Sequence, residues 1–329
     1  MTHHPRPPVS KGCQQKMQMI TQQSIQPICR QFIPSDVRLI SSNSKGLIND
    51  TFLVSTEGKM YVVQRLNRNM NSDFLEFNYG LYSRACEENN WLYPKWPKDA
   101  EGDYFYTDDD NDKWRMYPFI KCDILKKPLS KERLFELGRG LAIMHKIFAE
   151  MDDKPKAVYP HLHDLKHHYD EYIQVLCETK EERDRGVEKI IDSKIAPMLD
   201  VKIDTTSIIH ADTKLSNILF DNGKVVGSID MDTIMSGSVL EDIADSIRSS
   251  CVNGDRFDRE SAEEIIKGYI DFSSKKEIQN SLPQEFDKIC FELALRYYTD
   301  SLSEEKYFKE SYPGYCRERA KSLLNTLWG

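Results

Sequence analysis

A single hairpin constrains this chain more than any other feature. Residues 217–221 (NILFD) and 224–230 (KVVGSID) are apolar runs joined by Asn222-Gly223. Asn-Gly between two such runs is the strongest short-range hairpin signal, because both central residues of its turn take positive φ. The segment SIIHAD, residues 207–212, leads into it. Around this insertion the apolar spacing is helical, with long amphipathic stretches predicted at 131–150, 164–200, 258–272 and 285–303. The first third reads differently. VRLISS, TFLVST and MYVVQRL alternate like strands, with Glu57-Gly58-Lys59 turning between the last two, and DYFYT and KWRMYPFI form another hairpin around residues 108–112. Helical spacing falls at 73–88 and near 25–32, after a polar, proline-bearing start. The pattern predicts an α+β chain in three parts. A flexible tail spans residues 1–24, a lobe with a small antiparallel sheet spans 25–120, and a helical lobe carrying the hairpin spans 121–329.

Composition narrows the function classes. A net charge of −8 argues against a general nucleic-acid or anionic-membrane binder, since both partners are negative. No run approaches the roughly 18 apolar residues of a membrane span, and the first 20 residues are too polar for a signal peptide. The eight cysteines are scattered without a C-x-x-C pair, so no zinc ribbon is visible and the cytoplasm is the expected compartment.

The hairpin and its approach carry the chemistry. The order is His210-Ala211-Asp212-Thr213-Lys214-Leu215-Ser216-Asn217, then the hairpin, then Ile229-Asp230-Met231-Asp232. Phosphoryl transfer asks a protein for a carboxylate at the acceptor hydroxyl, hard oxygen ligands for magnesium, and a cation near the γ-phosphate. Asp212 supplies the first and Lys214 the last. The Asn-Gly turn folds the two strands together, which brings Asn217 and Asp230 to one end of the hairpin. Asp232 is a reserve ligand or an outer supporting carboxylate. His210 reads as a brace for the loop rather than a base.

H-x-D-x-K-x-x-N followed by I-D at the end of a hairpin resembles the catalytic loop and metal segment of the aminoglycoside phosphotransferase and choline kinase superfamily, relatives of the protein kinases. IIHADTKLSNILFD, IDMDTIMSGSVLEDIADSIR, WRMYPFI, YPHLHDLKHHYDEY and LALRYYTDSLSEEKYFK look like its N-acetylhexosamine 1-kinase branch, over residues 45 to about 320. The resemblance implies a protein-kinase-like two-lobed fold, with ATP and Mg2+ in the cleft and Asp212 as catalytic base. Asn217 and Asp230 would be magnesium ligands, Asp242 and Asp245 would support the catalytic loop, and Arg248 and Arg296 would fall near a sugar pocket. It further implies transfer to the anomeric hydroxyl of an N-acetylhexosamine. Choline, an aminoglycoside or another alcohol is the alternative acceptor, and a nucleotide-binding pseudokinase is a further rival. The partner is a small molecule, with the chain a monomer or homodimer.

On the nucleotide side, residues 42–50 (SNSKGLIND) would cover the phosphates, with Gly46, Asn49, Thr51 and Phe52 matching the family's G-x-x-N-x-T-[FY]. The third-strand position that is lysine in protein kinases falls on Gln64, with Arg65 adjacent, and only one of the two can face the phosphates. Its helix partner is Glu76 or Asn78. Residues 116–121 are the expected linker between lobes, so Pro118 and Ile120 would meet the adenine edge. Leu47 replaces a histidine and Ser249 an aromatic of the N-acetylhexosamine branch. Blander readings apply elsewhere. His161, His163, His167 and His168 read as a solvated helix start rather than a zinc site, and residues 181–185 as a solvated helix face. Tyr297, Tyr298, Tyr307 and Phe308 read as core packing.

Overall fold

The computed structural model describes residues 20–43, 49–201, 206–304, 306–308 and 310–328, so most of the expected tail and the centre of the cover loop, with Gly46 and Leu47, lie outside the described residues. Helix α1 (Gln22–Phe32) starts three residues before the expected position. Thr21 caps it by accepting from the Ser24 amide, and the Ser24 hydroxyl accepts from the Thr21 amide in return.

Strands β1 (Arg38–Asn43), β2 (Asp50–Thr56) and β3 (Lys59–Arg65) form an antiparallel meander. Glu57 and Gly58, both at positive φ, make the tight turn between β2 and β3. Helix α2 (Ser72–Glu88) follows, capped by Asn71, and then β4 (Tyr106–Thr107) and β5 (Lys113–Pro118). The sheet order is β1-β2-β3-β5-β4. One face is closed by α1, where Ile25, Ile28 and Cys29 pack on Phe52, Val54, Val63, Trp114 and Met116. Side chains alternate along a strand, so Val62, Gln64, Arg115 and Tyr117 look the other way, toward the second lobe.

That lobe opens with α3 (Lys131–Ala149). The expected helix over 164–200 is two helices, α4 (Leu165–Glu178) and α5 (Arg185–Leu199). The break has a local cause. Thr179 donates its hydroxyl to the Leu302 carbonyl, and Asp184 caps α5 by accepting from the amides of Gly186 and Val187. Residues 181–184 are therefore a connection, and Arg183 forks onto buried Glu188 at 2.7 and 2.8 Å instead of lining a solvated helix face.

Next come β6 (Ser207–Ile209), the hairpin strands β7 (Ile218–Asp221) and β8 (Lys224–Ser228), and β9 (Met235–Gly237), which pairs with β6. Helices α6 (Val239–Cys251), α7 (Arg259–Ser273), α8 (Ile278–Leu302) and α9 (Tyr315–Leu324) complete the lobe. Helix α8 begins seven residues earlier than its apolar pattern indicated and runs through Pro283, because Leu282 and Phe286 on either side are fully buried. Helices α3 and α7 touch backbone to backbone. A methyl group on Gly138 would sit 1.8 Å from the Ile265 carbonyl oxygen, and one on Gly268 would sit 1.9 Å from that of Phe135. Helix α6 packs on α3, α7 and α8, under the loop that leaves β6. No helix among the described residues is long and apolar enough to cross a membrane.

Candidate active site

The loop after β6 is held from below. Asp242, in the first turn of α6 and fully buried, accepts from the His210 amide at 2.9 Å, the Ala211 amide at 2.8 Å and His145 Nε2 at 2.9 Å. These donors and the histidine charge hold its pKa down against burial, so it remains a carboxylate. Thr213 donates to the Asp242 carbonyl, and Ser246 donates to the Thr213 carbonyl at 2.7 Å. His210 is enclosed. Its Nε2 donates to the Ile229 carbonyl at 2.9 Å, which leaves Nδ1 to accept from the Asp212 amide at 3.3 Å. So His210 ties the loop to the end of the hairpin's returning strand. Ala211 takes φ +64°, a left-handed bend in the chain directly before Asp212.

Four side chains then converge. Lys214 Nζ lies 2.5 Å from Asp212 Oδ2 and 3.8 Å from Asp230 Oδ2. Asn217 Nδ2 donates to the Asp212 carbonyl at 2.9 Å and to Asp212 Oδ2 at 3.0 Å. Asn217 ends a short 3-10 turn rather than starting the strand, and its carbonyl accepts from the Ile229 amide at 2.8 Å. Asp230, just beyond β8, is also left-handed at φ +64°. Burial acts to deprotonate Lys214, but the Asp212 and Asp230 carboxylates outweigh it and raise its pKa. Burial raises the Asp230 pKa, Lys214 offsets part of that, and Asp232 and Asp212 add to it.

Asp232 stands apart from this group. Both its oxygens are taken by Arg115, Nη1 and Nη2 each at 2.6 Å, and Asn49 Nδ2 adds a third bond at 3.1 Å. Its geometry is that of an outer support and not of a reserve ligand. Arg115 also donates through Nε to Gln64 Oε1 at 2.9 Å, and Gln64 Nε2 reaches Thr51 at 3.2 Å. Gln64 therefore faces the cleft, while Arg65 turns to Asp50 at 2.7 Å and Asp112 at 3.4 Å on the opposite face. The cation that the third strand lacks stands directly across the sheet, since Gln64 and Arg115 are register partners. Arg115 had no assigned role in the sequence; the signal was its place in WRMYPFI, readable once the strand register is known. Neither helix candidate bonds to Gln64. Asn78 clamps the Lys156 peptide with two 2.8 Å bonds, and Glu76 is exposed.

A cavity of about 710 Å³ lies between the lobes, with Val62 and Tyr117 above, Ile218 and Ile229 below, and Lys214 along one wall. Ile120 lines it. Pro118 does not, because alternation along β5 turns it to the face opposite Tyr117. Two further expectations are corrected. Asp245 makes no hydrogen bond to the catalytic loop among the described residues; it holds Arg248, at 2.7 and 2.9 Å, one helical turn along α6, and its charge adds to those that raise the Lys214 pKa. Arg248 and Arg296 do not share a pocket. Arg248 lines the cleft cavity, whereas Arg296 lines a second cavity of about 490 Å³ with Tyr159, His161, Glu171, Tyr307 and Phe308. Of the four aromatics expected in the core, Tyr297, Tyr298 and Phe308 are buried and Tyr307 is exposed.

A family model described as "Phosphotransferase enzyme family" matches residues 40–276, which include the whole constellation and its supports. The chain belongs to that family. It is a phosphotransferase acting on a hydroxyl acceptor. Solved structures carry the same fold across nearly its full length. A choline kinase from Cryptosporidium parvum aligns with TM-score 0.63 at 14% identity, covering 93% of this chain and 95% of that one. The amicoumacin kinase hAmiN, in complex with AMP-PNP, Ca2+ and Ami, gives 0.62 at 12%, covering 93% and 94%. The ADP-bound aminoglycoside phosphotransferase APH(2'')-Ib gives 0.60 at 16%, covering 92% and 96%.

One residue of the phosphotransferase that reaches this loop was hidden in the sequence among four histidines, and it is not solvated as expected but 13% exposed. His163 precedes α4; its Nε2 donates to the Ala211 carbonyl at 3.1 Å and its Nδ1 to Glu292 at 3.2 Å. Burial lowers its pKa, but the Glu292 carboxylate outweighs this and brings it up to about 9, the state in which both nitrogens donate. His167, by contrast, stacks on His161 with ring centroids 4.0 Å apart. His163 thus fixes the peptide just before Asp212. His163→Ala is expected to lower kcat by on the order of 10²-fold, the scale of a small misplacement of a reacting group. A folded pKa above the usual ~6.5 gives stability that is full below pH ~6.5 and lost as pH rises toward 9. Thermal melts across that window are expected to fall more steeply for the wild type than for His163→Gln.

Proposed function

We propose that this phosphotransferase moves the γ-phosphoryl group of ATP to a hydroxyl of a sugar, with the anomeric hydroxyl of an N-acetylhexosamine or related hexose as the specific candidate. One observation carries the reading: Asp212, Lys214, Asn217 and Asp230 meet at one point, and Lys214 of that group lines the cavity between the two lobes. The acceptor oxygen attacks the γ-phosphorus, the bond to the bridging oxygen breaks, ADP leaves, and the hydroxyl proton passes to Asp212. Asn217 orients Asp212 by bonding both its carbonyl and its carboxylate, and Lys214 offsets charge on the transferred group.

The donor set fits magnesium. Asn217 spends its amide hydrogens on Asp212, so its Oδ1 faces away from that bond, and the Asp230 side chain is 38% exposed. Hard oxygens from two side chains, completed by phosphate oxygens and water, suit this ion. When bound, magnesium neutralises phosphate charge. The apolar walls Val62, Tyr117, Ile218 and Ile229 suit an adenine ring, with the backbone near Ile120 at its edge.

Against an amine acceptor such as choline or an aminoglycoside stands the state of the aromatic cavity. Its Tyr307 and Phe308 rings already hold a cation, with Arg296 centred 5.2 and 5.5 Å from them. ADP release is to be measured against N-acetylglucosamine, N-acetylgalactosamine, glucose, galactose, mannose, choline and kanamycin. Turnover confined to the sugars is expected. Turnover confined to choline or kanamycin would reverse the acceptor assignment while leaving the transfer chemistry in place.

A further inference from the structure

Beyond Lys214 the cleft cavity continues to an end whose lining is cationic. Lys127, Arg248 and Arg319 all face it, beside Ser249, Asn253 and Gly254. Lys127 follows the interlobe linker, Arg248 lies near the C-terminal end of α6, and Arg319 is on α9, so three separate elements bring positive charge to one place. The one carboxylate in the lining, Asp123, is engaged elsewhere. It pairs with Arg133 at 3.4 Å and accepts from the Gly223 amide at 3.1 Å. Of the three cations, Asp245 pairs only with Arg248, at 2.7 Å. Among the described residues Lys127 and Arg319 have no carboxylate partner, and Arg319 lies 6.0 Å over the Tyr297 ring. The cations feel one another: burial lowers the Lys127 pKa, and Arg248 and Arg319 lower it further. Lys127 and Arg319, gathered beside the paired Arg248 without carboxylate partners of their own, are costly unless an anion joins them.

The nucleotide phosphates have another place to go. Lys214, Asp230 and Asn217 gather around Asp212, whereas Arg248 and Ser249 lie two turns along α6 from Asp242, with Ser249 accepting from the Leu215 amide at 2.8 Å. The cationic end is therefore separated from the magnesium ligands by Lys214 and Leu215. Arg248 of that end is near enough to Asp212 to feel its carboxylate, which adds to Asp245 in raising the Arg248 pKa against burial.

We infer that Lys127, Arg248 and Arg319 form an anion subsite for the acceptor, so that the substrate is a hydroxylated small molecule bearing a carboxylate or phosphate group. This rests on the phosphotransfer reading above and narrows it among the sugars: an acidic derivative is preferred over the neutral hexoses and N-acetylhexosamines, which turn over more slowly, and its charge is opposite to that of choline or an aminoglycoside. Such a group would meet donors in the manner of charge-assisted hydrogen bonds, which guanidinium groups make to both kinds of anion.

The test compares ADP release with glucose, glucuronate and glucose 6-phosphate, for the wild type and for Lys127→Gln/Arg319→Gln. One anionic member is expected to exceed glucose in kcat/KM by at least about tenfold, the scale of one charge-assisted contact. Which of the two wins tells carboxylate from phosphate. The double variant is expected to bring that ratio toward one by raising the acceptor KM, with the KM for ATP unchanged. In parallel, calorimetry with inorganic phosphate on protein saturated with AMP-PNP and magnesium is expected to give binding in the wild type that the double variant loses. Glucose equal to or better than both anions, or a variant that raises the KM for ATP, overturns the subsite. If no acceptor supports turnover, the calorimetry still decides: phosphate binding lost in the variant upholds the subsite while the transfer reading falls, and absence of binding overturns it.

Discussion

Asp212→Asn is expected to lower kcat by about 10²- to 10⁴-fold, the usual contribution of a positioned general base, with nucleotide affinity nearly unchanged. The asymmetry follows from where Asp212 points. Its Oδ2 takes Lys214 at 2.5 Å and Asn217 at 3.0 Å, so it is aimed by the groups around it. An asparagine keeps the size and much of that bonding but cannot take a proton. Asp230→Asn is expected to act differently, weakening magnesium-dependent nucleotide binding along with turnover, because Asp230 is the carboxylate of the proposed metal pair. Single-turnover kinetics with titration of nucleotide separates the two patterns. Equal loss of nucleotide affinity in both variants would remove the distinction between base and ligand.

The second large effect concerns Arg115. Its guanidinium, 2% exposed, forks onto Asp232, which is 5% exposed. Removing one member of a buried pair strands the other charge, a loss of about 3–5 kcal/mol. Arg115→Met is therefore expected to unfold at markedly lower denaturant. Arg115→Met/Asp232→Leu is expected to recover most of that stability, since an apolar pair of similar volume avoids the desolvation of two charges. Activity is expected to stay low in the double variant. Arg115 lies on β5 of the first lobe and Asp232 follows the hairpin of the second, and Asn49 from the end of the cover loop joins them, so the pair registers the sheet over the site. A double variant that regains full activity would reduce the pair to a purely structural role.

What could be read from the residues alone was what sequence proximity controls. His210, Asp212, Lys214 and Asn217 lie within eight residues, and the Asn-Gly turn dictates that Asp230 comes back beside them; their convergence needed only a loop and a hairpin. The two-lobed order followed in the same way from period-2 patterning giving way to helical spacing. What escaped notice depends on distant chain segments. Arg115 meets Asp232 across 117 residues and His163 meets Glu292 across 129, and no local pattern signals either. Asp245 was expected under the catalytic loop beside Asp242. The two are three apart on α6, close enough that only the three-dimensional path of the loop decides that Asp242 takes it and Asp245 takes Arg248. The split of the 164–200 helix and the passage of α8 through Pro283 were likewise decided by tertiary partners, Leu302 for the first and the packed core around Phe286 for the second.

The most direct measurement is phosphorus NMR of the purified protein with ATP, magnesium and the sugar panel, run beside Asp212→Asn. A new phosphate-ester resonance that grows with ADP in the wild type, requires magnesium and is absent from the variant is the predicted result. Nucleotide binding with no ester from any acceptor, or the same ester formed by Asp212→Asn at the wild-type rate, would contradict it.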